Sequence, residues 1–307
     1  MAFCLAFAPK IALFATWCYI LGVLVTLGIL MILFMVISAA MVRIDIQEIP
    51  IQKNSASASG ASPANDRPHT VTIGFFSDTH GFGCLKSPRW IAGAFQKEKC
   101  DLVLFGGDCV YHRTVRSSDK KMLTEVSGLL QGTNTKLYAV FGNHDWQLSR
   151  SDYEKMGVIL LSDSWETIKV RNTSFALCGM SDSERGERPW SSIPKDFSSF
   201  EGFRLLLVHN PDFLYTLLDA SKESADHLPF DFMLAGHLHG GQVHLPGNLE
   251  FLLFREDRIA REEGILSGQF QLRGYQGFIS KGAGNGFLPI RLMARPEIHI
   301  LRFHFPV

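Results

Sequence analysis

Five times in this chain a short apolar run stops at a cluster of Asp, His, Asn and Gly, and that recurrence constrains the fold more than any other feature. Val71 to Phe76 runs into Ser77-Asp78-Thr79-His80, and Leu102 to Phe105 into Gly106-Gly107-Asp108. Lys136 to Phe141 is followed by Gly142-Asn143-His144-Asp145, and Arg204 to Val208 by His209-Asn210. Phe232 to Ala235 meets Gly236-His237-Leu238-His239-Gly240-Gly241. Runs of this length bounded by turn residues read as buried strands. Pro88 to Lys97, with Pro in its first turn, and Ser118 to Leu130 read as helices. Ser174 to Cys178, Gly277 to Ser280 and Ile298 to Phe305 read as strands of a mixed second sheet. Strands alternating with helices imply a layered α/β domain. Polar residues gathered at the ends of its strands lie where open α/β sheets bind ligands.

Composition narrows the function classes. Lys and Arg number 30 and Asp and Glu 30, with no basic run, so the chain lacks the electrostatic footprint of a nucleic-acid binder. A 46% hydrophobic, 20% charged chain has enough apolar material for a real core. The six cysteines (Cys4, Cys18, Cys84, Cys100, Cys109 and Cys178) show no CxxC spacing, which excludes a zinc ribbon or a dense disulfide framework and fits free thiols in a reducing compartment.

No charged residue lies between Lys10 and Arg43. A spanning helix needs ~20 apolar residues, so residues 11–42 make one tilted span and are too short for two. Ser38-Ala39-Ala40 loosely fits a cleavage site, but the apolar core of a secretory signal runs only ~7–15 residues, which favours an uncleaved anchor. A buried core helix of this length is equally disfavoured. The flanking charges tip slightly toward a globular body on the cytoplasmic side of a cell membrane, in a single-pass arrangement. Asn54 to Asp66 is small and polar without periodicity, as in a flexible tether. The expected organisation is therefore a flank at 1–10, an anchor at 11–42, a linker at 43–69 and a globular domain at 70–307.

The residue types at the strand ends share one chemistry. Imidazole, carboxylate and amide oxygen together suit first-row divalent ions such as manganese, iron or zinc. Asp78 and His80 are two apart and can be aimed at one ion by a local turn. His237 and His239 have the same spacing and can each serve a different ion. Taken singly, Asp-x-His or Gly-Asp is a common turn and a lone His209 is a common core residue. Gly-Asn-His-Asp and Gly-His-x-His are far more specific, and five such endings in order are consistent with one another as chance would not make them.

The set Asp-x-His, Gly-Asp, Gly-Asn-His-Asp, His, Gly-His-x-His resembles that of the calcineurin-like metallophosphoesterase superfamily over Val71 to Gln242. The resemblance implies an α/β fold, a layered β-sandwich flanked by helices, here preceded by an N-terminal transmembrane helix. It also implies two divalent metal ions, Mn²⁺ first and Fe²⁺ or Zn²⁺ as alternatives. Asp78, His80 and His239 would hold one ion; Asn143, His209 and His237 would hold the other; Asp108 would bridge them. His144 would act as the acid at the phosphate or leaving group, oriented by Asp145, with Asn143 also touching the phosphate. Further along, Gly240-Gly241-Gln242-Val243, Ile279 to Gly284, Pro289-Ile290-Arg291 and Arg295-Pro296-Glu297-Ile298 resemble a membrane-associated branch. That branch includes hydrolases of UDP-2,3-diacylglucosamine in lipid A synthesis.

Substrate choice is expected in Leu245 to Tyr275. Its apolar run Leu249 to Phe254 is followed by Arg255, Arg258, Arg261 and Arg273. The sharper reading is a lid that contacts acyl chains, with Arg255 and Arg258 near a phosphate; the plainer one is an ordinary core element with solvated charges. The expected function is hydrolysis of a lipid-linked nucleotide to UMP and a diacylated sugar phosphate, with the bilayer as partner. Another phosphomonoester or phosphodiester is the alternative substrate, and a non-catalytic membrane scaffold is the third class. The sequence points to no nucleic acid and to no particular protein partner.

Overall fold

Strand formation here follows burial, and the two sheets it produces lie face to face. The structure, a computed structural model, describes residues 8–51, 69–111, 115–171, 173–182, 191–220, 228–245, 247, 249, 256–286 and 288–305. Helix α1 (Ala8–Ala40) leads into β1 (Arg43–Pro50). Next come β2 (His69–Phe76), α2 (Pro88–Lys97), β3 (Leu102–Phe105), α3 (Ser117–Gln131), β4 (Lys136–Ala139), α4 (Arg150–Lys155) and β5 (Ile159–Leu160). The second half holds β6 (Ser164–Val170), β7 (Thr173–Met180), α5 (Lys195–Ser198), β8 (Arg204–Val208), α6 (Phe213–Ala220) and β9 (Phe232–Ala235). It closes with α7 (Arg258–Glu263), β10 (Gly268–Leu272), β11 (Tyr275–Ile279) and β12 (Glu297–Phe305).

One sheet runs β1-β12-β2-β3-β4-β5 and the other β10-β11-β9-β8-β7-β6. In the first, β2, β3, β4 and β5 are parallel, with Phe76 opposite Phe105 and Phe105 opposite Ala139. In the second, β7, β8, β9 and β11 are parallel, with Leu207 opposite Leu234. Parallel strands covered on both faces read as continuous apolar runs, and β3 and β9 are buried at every position. Val71, Ile73, Phe75, Leu104, Leu177, Leu205, Leu207 and Leu234 fill the space between the sheets. A second apolar cluster joins α2 and α3 to the outer face of the first sheet through Ile91, Phe95, Leu123 and Val126. A third covers the outer face of the other sheet with Phe213, Leu214 and Ile259. The result is a sandwich of two sheets between two helical layers, as the resemblance implied.

Helix α1 exposes Phe14, Trp17, Leu21, Leu24, Ile29, Ile32 and Phe34, and only near its end are Ser38 and Ala39 buried. Residues Phe14–Ala40 are long and apolar enough to cross a membrane. The expected boundary between anchor and linker needs correction. The helix ends at Ala40, and residues 43–50 form a strand, with Ile44 opposite Ile298 and Ile46 opposite Ile300 on β12. Its face was missed because Ile44 and Ile46 remain substantially exposed while Ile49 and Ile51 are buried, so alternation is weak. The polar tether expected from Asn54 to Asp66 lies outside the described residues.

Candidate metal centre

At the ends of β2, β3 and β9 the chain turns through polar residues held out of ordinary backbone space. Asp78 (φ 54), His80 (φ 46), Asp108 (φ 63), His237 (φ 71) and His239 (φ 53) all occupy the left-handed region. Each such residue costs of order 1–3 kcal/mol and persists only where the surroundings dictate it. Glycines make the crowding possible. A Cβ on Gly142 would collide with the Asp108 carboxylate, and one on Gly236 would lie 2.6 Å from Asp78 Oδ2.

The turns gather two groups of ligand atoms, Asp78 with His80 and His239, and Asp108 with His209 and His237. In the first, His80 Nε2 lies 3.1 Å from His239 Nε2, and His239 Nε2 lies 3.6 Å from Asp78 Oδ1. In the second, Asn143 Oδ1 lies 3.0 Å from His209 Nε2 and 3.1 Å from His237 Nδ1, and those two nitrogens are 3.2 Å apart. Ligands ~2.1 Å from one ion lie roughly 3–3.5 Å from each other, so these spacings suit coordination. Asp108 Oδ2 stands between the groups, 3.2 Å from His209 Nε2 and 3.8 Å from His80 Nε2. All seven residues expected as ligands therefore come together.

Hydrogen bonds on the far side of the rings test whether cations fit. His80 Nδ1 bonds the Val110 carbonyl at 3.0 Å, and His209 Nδ1 bonds the Gly106 carbonyl at 2.7 Å. His237 Nε2 bonds Asp257 Oδ1 at 3.0 Å. These partners only accept, so each ring places its proton there and turns its lone pair inward. In these neutral tautomers the lone pairs of His209, His237 and Asn143 face one another at hydrogen-bond distance, an arrangement that needs a positive charge among them, from a metal cation or, without one, from a proton on His209 Nε2 beside Asp108. His239 differs, because its Nδ1 meets the guanidinium of Arg291 at 3.0 Å.

The local electrostatics agree with an acidic, cation-seeking pocket. Burial works to raise the Asp108 pKa, but His209, His80 and His144 together hold it well below the usual carboxylate range. Burial likewise opposes a charge on His209, yet Asp108, aided by Asp78, pushes its pKa well above the usual histidine value. Desolvation, with the neighbouring His80, His209 and His237, keeps His144 below that value against the pull of Asp108.

His144 sits at the exposed lip of the site, its backbone N–H donating to Asp108 Oδ1 at 2.8 Å and its ring 5.4 Å from that of His80. Asp145 does not reach out to it as expected. Its buried carboxylate accepts the N–H groups of Asp108 (2.7 Å), Cys109 (2.9 Å), Val110 (3.1 Å) and Gly142 (3.0 Å) and the Tyr153 hydroxyl (3.2 Å). With its acceptor sites so engaged, Asp145 locks two ligand loops together instead of orienting a ring. Arg258 pairs with Asp219 (2.6 Å) and Glu262 (3.0 Å) and lies 3.9 Å above the Tyr215 ring. Its charge is thus already matched, against the expected phosphate contact. Arg255 and the run 250–254 lie outside the described residues.

Two supporting residues escaped the sequence reading. Asp257 stood among scattered charges before a short helix, with no spacing that ties it to His237. Arg291 is fully buried, donating to the carbonyls of His239, Gly284 and Ala294 and, at 3.1 Å, to Asn285 Oδ1. It lies inside Pro289-Ile290-Arg291, whose only signal in the sequence is its likeness to the membrane-associated branch. A third group, Asp45, Glu297 and His299, also lies together near β1. There Glu297 is already paired with Arg43 (2.8 Å) and Lys281 (3.4 Å).

Comparison with known proteins bears on the same residues. The sequence pattern of the family described as "Calcineurin-like phosphoesterase" matches residues 71–241. The chain is 25% identical to the uncharacterized metallophosphoesterase YkoQ of Bacillus subtilis (strain 168), over 74% of this chain and 82% of that protein. It is 29% identical to the phosphodiesterase YaeI of Escherichia coli (strain K12), over 67% of this chain and 71% of that one. Among solved structures, a dimetal phosphatase from Danio rerio aligns with a TM-score of 0.42 at 12% identity, covering 71% of this chain and 89% of its own.

Proposed function

Because this chain belongs to the calcineurin-like phosphoesterases, we propose that it is a membrane-anchored enzyme acting on a lipid-linked nucleotide, such as UDP-2,3-diacylglucosamine, to release UMP. Its general class, a metal-dependent phosphoester hydrolase, follows from the family and from the paired ligand groups. The observation that carries the lipid reading is the seating of α1 on the site. The backbone N–H of Arg291 donates to Met35 O in α1 at 3.0 Å, while its guanidinium bonds His239. A single residue thus touches both the apolar helix and a ligand of the first group. A bilayer around α1 would hold its lipids close to the site at high effective concentration. Placement on the cytoplasmic face, with Mn²⁺ as the native metal, belongs to the same reading.

Bound divalent cations would supply Lewis acidity toward the phosphoryl oxygens and a nucleophile drawn from water at neutral pH. The chain's own residues do the rest. Asp78, His80 and His239 would hold one cation, Asn143, His209 and His237 the other, and Asp108 both. Asp145 fixes the loops that carry Asp108 and Asn143. His144, at the open lip, offers a ring N–H to a phosphoryl oxygen or to the leaving group.

The test is to incubate the detergent-solubilised full chain with UDP-2,3-diacylglucosamine and Mn²⁺ and to measure UMP. Release of UMP faster than cleavage of a soluble chromogenic phosphodiester supports the reading; the opposite order removes the lipid substrate. In the same assay His144→Ala is expected to lower turnover by ~10²-fold or more while bound metal, counted by mass spectrometry, stays at the wild-type level. Unchanged turnover would take His144 out of the mechanism. A soluble phosphodiester is the second reading, favoured by the name of the E. coli relative.

A further inference from the structure

We infer that the junction between α1 and the domain is a binding site for the phosphate of an anionic membrane phospholipid, separate from the metal centre. A cleft of about 300 Å³ opens there, lined by Phe34, Ser38, Arg43, Lys281, Met293 and Arg295. Three of the six side chains are cations. Glu297 neutralises only part of that charge, with one carboxylate oxygen shared between Arg43 (2.8 Å) and Lys281 (3.4 Å). Arg295 is exposed and makes no ion pair among the described residues. The cleft therefore keeps an excess of two positive charges in search of an anion.

The apolar part of the lining says which anion. Phe34 is 52% exposed and Met293 78% exposed, so both present apolar surface at the cleft. Phe34 precedes the helix end at Ala40 by about 9 Å of rise and Ser38 by about 3 Å. If α1 crosses a bilayer, Arg43 and Arg295 stand at headgroup depth and Phe34 at the start of the acyl region. A free phosphate would satisfy the cations and leave Phe34 and Met293 bare. A phospholipid satisfies both, since its phosphate lies directly above its glycerol and acyl chains. Juxtamembrane cations on anionic lipid follow the same rule, each gaining favourable energy near the surface.

The cleft lies behind the metal ligands and not in their mouth. Lys281 packs its stem against Gly240, where an added Cβ would sit 2.8 Å from its Cγ, and the next residue, Gly282, abuts the Nδ1 side of His239. The His239 nitrogen that faces His80 is Nε2, on the opposite side of the ring. A lipid in the cleft would thus brace the Ser280–Gly284 loop from outside while the catalytic face stays free. The inference rests on α1 being a membrane span and is independent of the substrate.

The experiment measures lipid retention by the full chain in neutral detergent, using native mass spectrometry with phosphatidylglycerol, phosphatidylcholine and inorganic phosphate as probes. Phosphatidylglycerol is expected to bind roughly tenfold more tightly than phosphatidylcholine and to resist displacement by millimolar phosphate. Arg295→Glu should abolish the preference, and Lys281→Gln with Arg295→Gln should reduce it to near one. Hydrolysis of a soluble phosphodiester by Arg295→Glu should match wild type, which also shows that the variant is folded. Equal retention of the two lipids, an unchanged preference in Arg295→Glu, or displacement by inorganic phosphate would each overturn the inference. The readout is bound lipid, so failure to release UMP from the proposed substrate would leave it standing.

Discussion

The two halves of the metal centre each bring two histidines and share Asp108, one adding Asp78 and the other Asn143, and they are supported in different ways. Around Asp108, His209 and His237, each ring gives its outer proton to an acceptor, the Gly106 carbonyl or Asp257. Around Asp78, His80 and His239, only His80 does so, while His239 faces the buried guanidinium of Arg291. The second half is prepared for a cation in the ordinary manner of metal-binding histidines. The first half exchanges that preparation for a connection to α1, because Arg291 also holds Met35 through its backbone. A pair of histidines in each half therefore does not imply equal affinity; what stands behind each ring matters as well.

Two variants and a metal titration probe this contrast, and a third variant tests a region outside it, in descending order of effect. Asp108→Ala removes the carboxylate common to both halves. It should lower turnover by more than the ~10–100-fold typical of an outer partner and reduce bound metal from two ions toward none by elemental analysis. Retention of both ions would mean that the halves do not depend on Asp108. Asp257→Ala acts on one half only, and is expected to weaken one of two metal-binding steps by ~10–100-fold in a calorimetric titration and leave the other in place. If both steps weaken together, the halves are one cooperative unit.

Stepwise filling of the metal-free protein distinguishes the halves without mutation. An Arg donor at Nδ1 of His239 places the ring proton on Nε2, the atom that must meet the cation. The half with His237 should therefore fill at lower metal concentration, by a factor of several, as followed by paramagnetic broadening of assigned histidine signals. The reverse order would show that Arg291 leaves Nδ1 when the ion enters.

The smallest effect lies outside the centre. The hydrogen bond from His299 holds the partly exposed Asp45 carboxyl at about 2, below its ordinary 3.8. A depressed carboxylate pKa stabilises the fold above the unfolded value and loses that contribution as pH falls through the folded one. Asp45→Asn should therefore cost under ~1 kcal/mol at pH 7, and the gap to wild type should narrow as pH drops from about 4 toward 2 in urea unfolding. A constant gap would assign the effect to packing.

Much of this arrangement was legible in the linear chain. Val71–Phe76, Leu102–Phe105, Arg204–Val208 and Phe232–Ala235 matched their strands closely because parallel strands buried on both faces demand unbroken apolar runs. Strand β1 escaped notice, since an edge strand with Ile44 and Ile46 still exposed carries little periodic signal. Asp145 was legible as a site residue and misread in its task. A carboxylate that follows a histidine suggests a partner for that ring, whereas the fold turns it back onto four backbone N–H groups.

What the sequence determined by itself is the inventory: strand ends rich in Asp, His and Asn, the glycines that let them crowd, and a long apolar helix in front. Local chemistry suffices for that, since metal ligation depends on residue type and burial on apolarity. Which nitrogen of each histidine points inward, which acid supports His237, and how Arg291 couples the helix to His239 depend on contacts between residues far apart in the chain. Those contacts are selected by packing two sheets against each other, and no spacing within one segment encodes them.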